Sequence, residues 1–250
     1  MEDLSVKNYH SSFPSEEYLN RLFGQTYVIN WPMSEVGGDG YWAYEDEEGF
    51  AFLIVYDCSG HGRFASMMTR YYANILTEAI KGQGLKMPSS ILDFVHESAK
   101  NDWVNHQNNL NVGKSADMGV MVLDKSRKKI YFSGAGMDFV YIQKEEFNKI
   151  EGSKVQVGDR FDIEHSYSYA EIPLRKLKKT SCYMFSDGAT DIFGGPRNKK
   201  LKLSGLIEAI VKCQKETTLK EEKAQMEKFF NHWSGSNEPL DDLLLIGLRF

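Results

Sequence analysis

Four acidic positions in the chain share one kind of setting. Asp39 sits between glycines in GGDGYW (37–42). Asp57 ends the apolar run FAFLIVYD (50–57), and Asp187 ends YMFSD and precedes Gly188. Asp241 and Asp242 open the run into LLLIGLRF at the C-terminus. Carboxylates far apart in sequence meet if the strands that carry them end on one rim. Gathered carboxylates repel one another unless a cation neutralises them. Oxygen-only ligation suits hard ions such as Mg²⁺ or Mn²⁺. Two such ions, about 4 Å apart, activate water and clamp a phosphoryl group. Each acid alone is also an ordinary turn residue, because aspartate beside glycine favours turns.

The stretch YDCSGHG (56–62) offers other chemistry. Cys58 and His61 suggest a cysteine hydrolase, but a reactive thiolate needs an electropositive site, and the neighbour is Asp57. The glycines lack the Lys-Ser/Thr ending of a phosphate loop and read as devices for close backbone approach. His61 is read as a turn donor, with substrate contact or acid catalysis as the sharper alternative. Arg63, at a predicted helix start, is placed to meet a phosphate or is a solvated charge. RKLKK (175–179) and Lys199–Lys200 read as solvated faces, or as docking for an acidic phosphoprotein.

The elements that must position these residues follow from the patterning. TYVINW (26–31), GGDGYWAYED (37–46) and FAFLIVYD read as strands. A helix follows, with Phe64, Met67, Met68, Tyr71, Tyr72, Ile75 and Leu76 at helical spacing. A second helix begins near Ser89 or Ser90. MGVMVLD (118–124) and KIYFSGAG (129–136) form a hairpin around KSRK, and FVYIQ (139–143) with FNKI (147–150) forms another. Residues 151–168 read as loop, then AEIPL (170–174) and SCYMFSD (181–187) as strands. Ser204 is a candidate cap for LSGLIEAIVKC, and Thr218 with Glu221 is a candidate capping box. Gly235 is a candidate stop for that last helix, in which Phe229 and Trp233, like Tyr71 earlier, read as core. DDLLLIGLRF ends the chain as a buried strand. The pattern predicts an α+β fold, with sheet packed on sheet and helices outside. Residues 1–12 read as a loose leader before one domain, 13–250.

Bulk properties exclude several classes. Hydrophobic residues make up 42% and charged residues 26% of 250, enough for a packed core. A formal charge of −5 argues against nucleic acid as the main partner. There is no long apolar run, so no membrane span is expected, and the N-terminus does not resemble a signal peptide. Three cysteines (58, 182, 213) fit reduced thiols in a cytoplasmic setting.

The motifs resemble those of the SpoIIE-type serine phosphatases, a bacterial branch of the metal-dependent PPM superfamily. EVGGDGYW, YDCSGHG, MFSDGATDIFGG and EPLDDLLLIGLRF occur in the family's order, and SADMGVMVLD with YFSGAGMDFVYI resembles its middle hairpin. The resemblance runs from about Phe13 to Phe250. It implies an αββα four-layer sandwich and hydrolysis of phosphoserine or phosphothreonine by a water bound between two Mn²⁺ or Mg²⁺ ions. Asp57 would bridge both metals, and Asp39 would serve one of them, directly or through water. The Cys58 carbonyl would add a ligand, and Asp187 would hold the second metal with Asp241 beside it. Asp242 is the fallback for Asp241. Asp117 would hold a third, weaker metal or support the others, and Asp191 has a structural or supporting role. The implied substrate is a phosphorylated regulator such as a STAS-domain anti-sigma-factor antagonist. An inactive pseudophosphatase that signals by contact is the alternative. Many relatives carry a sensor domain, for which this chain leaves no room. Control is therefore expected from a partner, from homodimerisation or from a segment near the first helix pair. The chain departs from the family at Arg63–Ser66, at Gly136–Asp138, where relatives often carry H-N-P, and at Leu244.

Overall fold

The computed structural model describes residues 9, 11–60, 62–105, 115–143, 146–159, 165–173, 180–214 and 218–250. The first third holds α1 (Glu16–Phe23), β1 (Gln25–Trp31), β2 (Asp39–Glu45), β3 (Phe50–Cys58) and α2 (Gly62–Thr77). Then come α3 (Pro88–Asn105), β4 (Ala116–Asp124), β5 (Lys129–Ala135), β6 (Phe139–Gln143), β7 (Glu146–Ile150) and β8 (Ala170–Pro173). The last part holds β9 (Ser181–Phe185), the short α4 (Gly188–Asp191), β10 (Phe193–Gly194), β11 (Lys199–Lys200), α5 (Lys202–Cys213), α6 (Leu219–Ser234) and β12 (Leu243–Arg249). One sheet runs β2-β3-β4-β5-β8 and the other β1-β12-β9-β6-β7, with antiparallel neighbours.

β3 shows why this sequence makes four layers. Successive strand residues face opposite sides. Leu53 and Val55 join a core between the sheets, with Met121, Phe132, Met184 and Ile246. Phe52, Ile54 and Tyr56 point the other way, against Met68, Tyr72 and Leu76 of α2 and Leu92 and Val95 of α3. A third core packs the second sheet against α5 and α6 through Tyr183, Leu206, Ile210, Met226 and Phe230. A strand buried on both faces reads as a continuous apolar run, which is what residues 50–55 are. The order is helix pair, sheet, sheet, helix pair: the expected α+β sandwich. No helix among the described residues is long and apolar enough to cross a membrane.

Several local expectations are corrected. Met67 does not join the core: α2 buries Ala65, Met68, Thr69, Tyr72 and Leu76, and Met67 is 66% exposed on the opposite side. Ser204 caps nothing, because α5 already begins at Lys202. Buried Leu201, whose N–H donates to Ile192 O at 3.0 Å, sets that start instead. The stretch 151–168 is not wholly free of pairing, since Val157 and Ala116 exchange two backbone hydrogen bonds of 3.0 and 3.1 Å. Tyr9, inside the expected loose leader, is buried and donates to Asp39 O at 3.2 Å. The Thr218–Glu221 capping box forms as expected. Leu174, the run 175–179 and the hairpin residues Lys144 and Glu145 lie outside the described residues.

One buried carboxylate ties α6 to the second sheet. Glu222 Oε1 accepts from Tyr183 OH (2.7 Å) and Tyr27 OH (3.2 Å), and Oε2 accepts from Arg249 Nη2 (2.8 Å). Removing one partner of a buried pair leaves the other uncompensated. Glu222→Ala is expected to cost about 3 kcal/mol in denaturant unfolding, and Glu222→Gln less, since it keeps acceptors for both tyrosines.

Candidate active site

The register of the first sheet gathers three acids. Asp57 pairs with Asp39 on β2 and with Asp117 on β4, and directly paired residues project from the same face. That face is the one carrying Leu53 and Val55, so the row Asp39–Asp57–Asp117 continues the inter-sheet core to its open rim. The second sheet faces this row with Asp187, just beyond β9, and Asp241, just before β12. After burial, Asp187 is the group that bears most on Asp57 across the two sheets.

Burial and mutual repulsion are visible in the acidities. Burial first, then Asp187, Asp241 and Asp117, push Asp57 up to about 8. Burial, then Asp57, holds Asp39 well above the usual carboxylate range. Partial burial also raises Asp117, Asp187 and Asp241. Asp39 is 1% exposed. Its Oδ2 accepts from Ser186 Oγ at 2.6 Å, while its Oδ1 is buried without a hydrogen-bond partner among the described residues. A buried, half-satisfied carboxylate is costly unless something positive meets it. The donors are carboxylate oxygens, which fit a hard divalent cation. Among the described residues, no three acid, histidine or cysteine side chains have closed to the spacing of a formed metal site.

The neighbouring acid does different work. Asp242 is buried, with Oδ1 accepting from Met33 N and Oδ2 from Gly38 N, each at 2.6 Å. Its carboxylate anchors the loop that delivers Asp39. A side chain on Gly37 would meet that carboxylate at 2.5 Å, and one on Gly38 would meet the Cys58 carbonyl at 2.6 Å. The paired glycines of GGDG thus serve close approach.

Three supporting residues escaped the sequence reading. Ser186 holds Asp39 and also accepts from Leu244 N at 3.0 Å. Gln156 donates to Asp117 Oδ1 at 2.9 Å, and Tyr9 braces the Asp39 backbone. Only Ser186, inside MFSDG, lay near a motif. Beside the acids opens a cleft of about 210 Å³, lined by Asp57, Asp117, Met137, Asp138, Asp187 and Leu203 among others. The departure Gly136–Asp138 therefore borders the site.

The other candidates separate clearly. Cys58 is 1% exposed, and burial, then Asp57, pushes its thiol far up. That is the opposite of a reactive thiolate. His61 lies outside the described residues. Arg63 is exposed in the first turn of α2. Asp191 forms an ion pair with Lys200 and so joins α4 to β11.

A family model described as Stage II sporulation protein E (SpoIIE) matches residues 47–250. Asp39 lies ahead of that span and is placed by register alone. Among solved structures, the SiaA-PP2C domain of Pseudomonas aeruginosa superposes with a TM-score of 0.86 at 22% identity, covering 99% of this chain and 95% of that one. The PP2C phosphatase domain, with a fragment of the regulatory domain, of the cell fate determinant SpoIIE from Bacillus subtilis gives 0.67 at 16%, covering 90% and 62%. RsbX in complex with magnesium gives 0.58 at 14%, covering 89% and 92%. These superpositions establish a shared fold. No curated protein matches the sequence significantly.

Proposed function

The chain belongs to the stage II sporulation protein E (SpoIIE) family, and from that premise we propose that it is a metal-dependent protein serine/threonine phosphatase. Its substrate class is a phosphorylated bacterial regulator, such as a STAS-domain anti-sigma-factor antagonist. One observation carries the reading: a buried, half-satisfied Asp39 in register with Asp57 and Asp117, facing Asp187 and Asp241 of the other sheet. Asp39, Asp57, Asp187 and Asp241, with the Cys58 carbonyl, would hold two Mn²⁺ or Mg²⁺ ions, and Asp117 a third, weaker one. When bound, such ions neutralise the carboxylates, polarise the phosphoryl group and acidify water for attack on phosphorus.

The chain's own residues prepare that chemistry. Ser186 fixes which Asp39 oxygen stays available. Asp242 holds the loop ahead of Asp39, so that carboxylate has little freedom to turn away. Gln156 orients Asp117 by its amide. The cleft beside Asp57 receives the seryl phosphate, and its acidic wall repels a bare phosphate dianion. Turnover therefore depends strictly on added cations.

Phosphate release from a phosphoserine peptide in Mn²⁺ is the direct test. Release is expected to vanish on chelation and to fall by about a hundredfold or more in Asp187→Asn, with the circular dichroism spectrum unchanged. Undiminished release in either case sinks the proposal. If neither release nor calorimetric Mn²⁺ binding occurs, the chain is instead a contact-signalling module on the same fold.

A further inference from the structure

A second cavity, of about 500 Å³, lies beside the acids, within the range of about 300–1,000 Å³ typical of ligand pockets. The 187–191 turn lends residues to both spaces, Asp187 and Thr190 to the smaller cleft and Gly188 and Asp191 to this one. Two of its wall residues tie it to the site: Asp241 itself, and Gly188, which follows Asp187. An extended peptide rises about 3.3 Å per residue. A chain with its phosphoserine at the acids can therefore lay a residue two to four positions away in this cavity.

The cavity is built rather than incidental. Trp233 Nε1 donates to Ile192 O at 3.1 Å, and Gly195 N donates to Trp233 O at 2.8 Å. Asn237 Nδ2 donates to Phe193 O at 3.1 Å and to Asn198 Oδ1 at 2.8 Å. These bonds fasten the β10–β11 ribbon to the end of α6. A side chain on Gly194 would meet Trp233 O at 1.7 Å, so that glycine of DIFGG serves this wall and not the chemistry.

Its lining selects an occupant. Trp31, Ile192 and Leu243 make an apolar floor, and Leu240, 71% exposed, stands at the mouth. Around them stand the carboxylates of Asp191, Glu238 and Asp241 against the single ammonium of Lys200. A free anion meets excess negative charge there, whereas an apolar side chain beside a cation meets complementary surface. Building on the phosphatase reading, we propose that this cavity is a substrate subsite. It seats an apolar side chain of the phosphoprotein, two to four residues from the phosphoserine, with a basic neighbour against Glu238.

The test uses labelled peptides carrying a non-hydrolysable phosphonate in place of phosphoserine, with binding read by fluorescence anisotropy. Leucine and arginine are placed two to four residues before the phosphonate in one peptide and after it in another, with serine replacing each in turn. In one of the two placements, the peptide with both is expected to bind about tenfold tighter than its serine versions. Leu240→Ser should cut the leucine advantage at least about threefold, and Glu238→Lys should do the same to the arginine advantage. Both positions are exposed, so neither change threatens folding. A wild-type advantage below tenfold, or either advantage left intact by its variant, overturns the subsite. Phosphate release in Mn²⁺ is measured in parallel. Its absence removes the phosphatase reading and leaves the binding ratios to decide the subsite separately.

Discussion

Asp57→Asn lowers Mn²⁺-dependent phosphate release by about 10³-fold or more, and the same substitution raises the thermal midpoint of the metal-free protein. The first effect follows from position. Asp57 is the middle of the row Asp39–Asp57–Asp117, and Asp187 and Asp241 of the other sheet both bear on its acidity. Losing about 4 kcal/mol of transition-state stabilisation gives a rate loss of that size. The second effect follows from what the acids cost one another without cations. Asparagine keeps the shape and removes the cost of a carboxyl that must either ionise in a crowded, buried cluster or be held protonated there. For a chain of this length, each kcal/mol recovered shifts the midpoint by about 3 °C. In chelator, the variant should melt several degrees above the wild type. With Mn²⁺ the order should close or invert, because only the wild type gains binding energy. A variant that melts below the wild type in chelator would falsify the view of these acids as mutually destabilising.

Asp241 and Asp242 are neighbours whose substitutions should fail in opposite ways. Asp242 has both oxygens on backbone amides at 2.6 Å and is buried. Hydrogen bonds to a charged group are worth about 1.5–3 kcal/mol each, so Asp242→Ala is expected to cost about 3 kcal/mol or more of unfolding free energy. It also frees the loop that presents Asp39, so activity falls with stability. Asp241 is exposed, facing the acids and the larger cavity. Asp241→Asn should reduce release and Mn²⁺ affinity while leaving urea unfolding near the wild-type midpoint. Measuring both quantities on both variants separates anchor from ligand. Equal destabilisation by the two would refute the division of labour.

That division also marks where the sequence stopped being informative. The sheets were legible because strand composition is local: the continuous apolar run 50–55 marks a strand buried on both faces and carries Asp57 to the rim at its end. Asp39, Asp187 and the terminal acids were legible as strand-end carboxylates for the same reason. The choice within the Asp241–Asp242 pair was not, because it depends on which side chain meets Gly38 N, 204 residues away. Tyr9 and Gln156 carry no local signature, since the hydrogen bonds that tie them to Asp39 and Asp117 span 30 and 39 residues of sequence. Ser204 misled because capping preference is a local rule, and the burial of Leu201 overrode it. Met67 misled because it fits an apolar i, i+4 repeat while facing away from the buried stripe.

The acids of the site are split between two sheets, and each sheet has its own helical cover. An ion held by both layers, as proposed, would act as a rivet across the sandwich. Its affinity would then depend on how the two halves are aligned, as well as on the carboxylates themselves. Reciprocity follows by linkage: whatever shifts one layer relative to the other changes ion affinity, and ion binding resists that shift to the same degree. A partner gripping only an outer helix pair would thus hold a lever on the chemistry without touching any group that performs it.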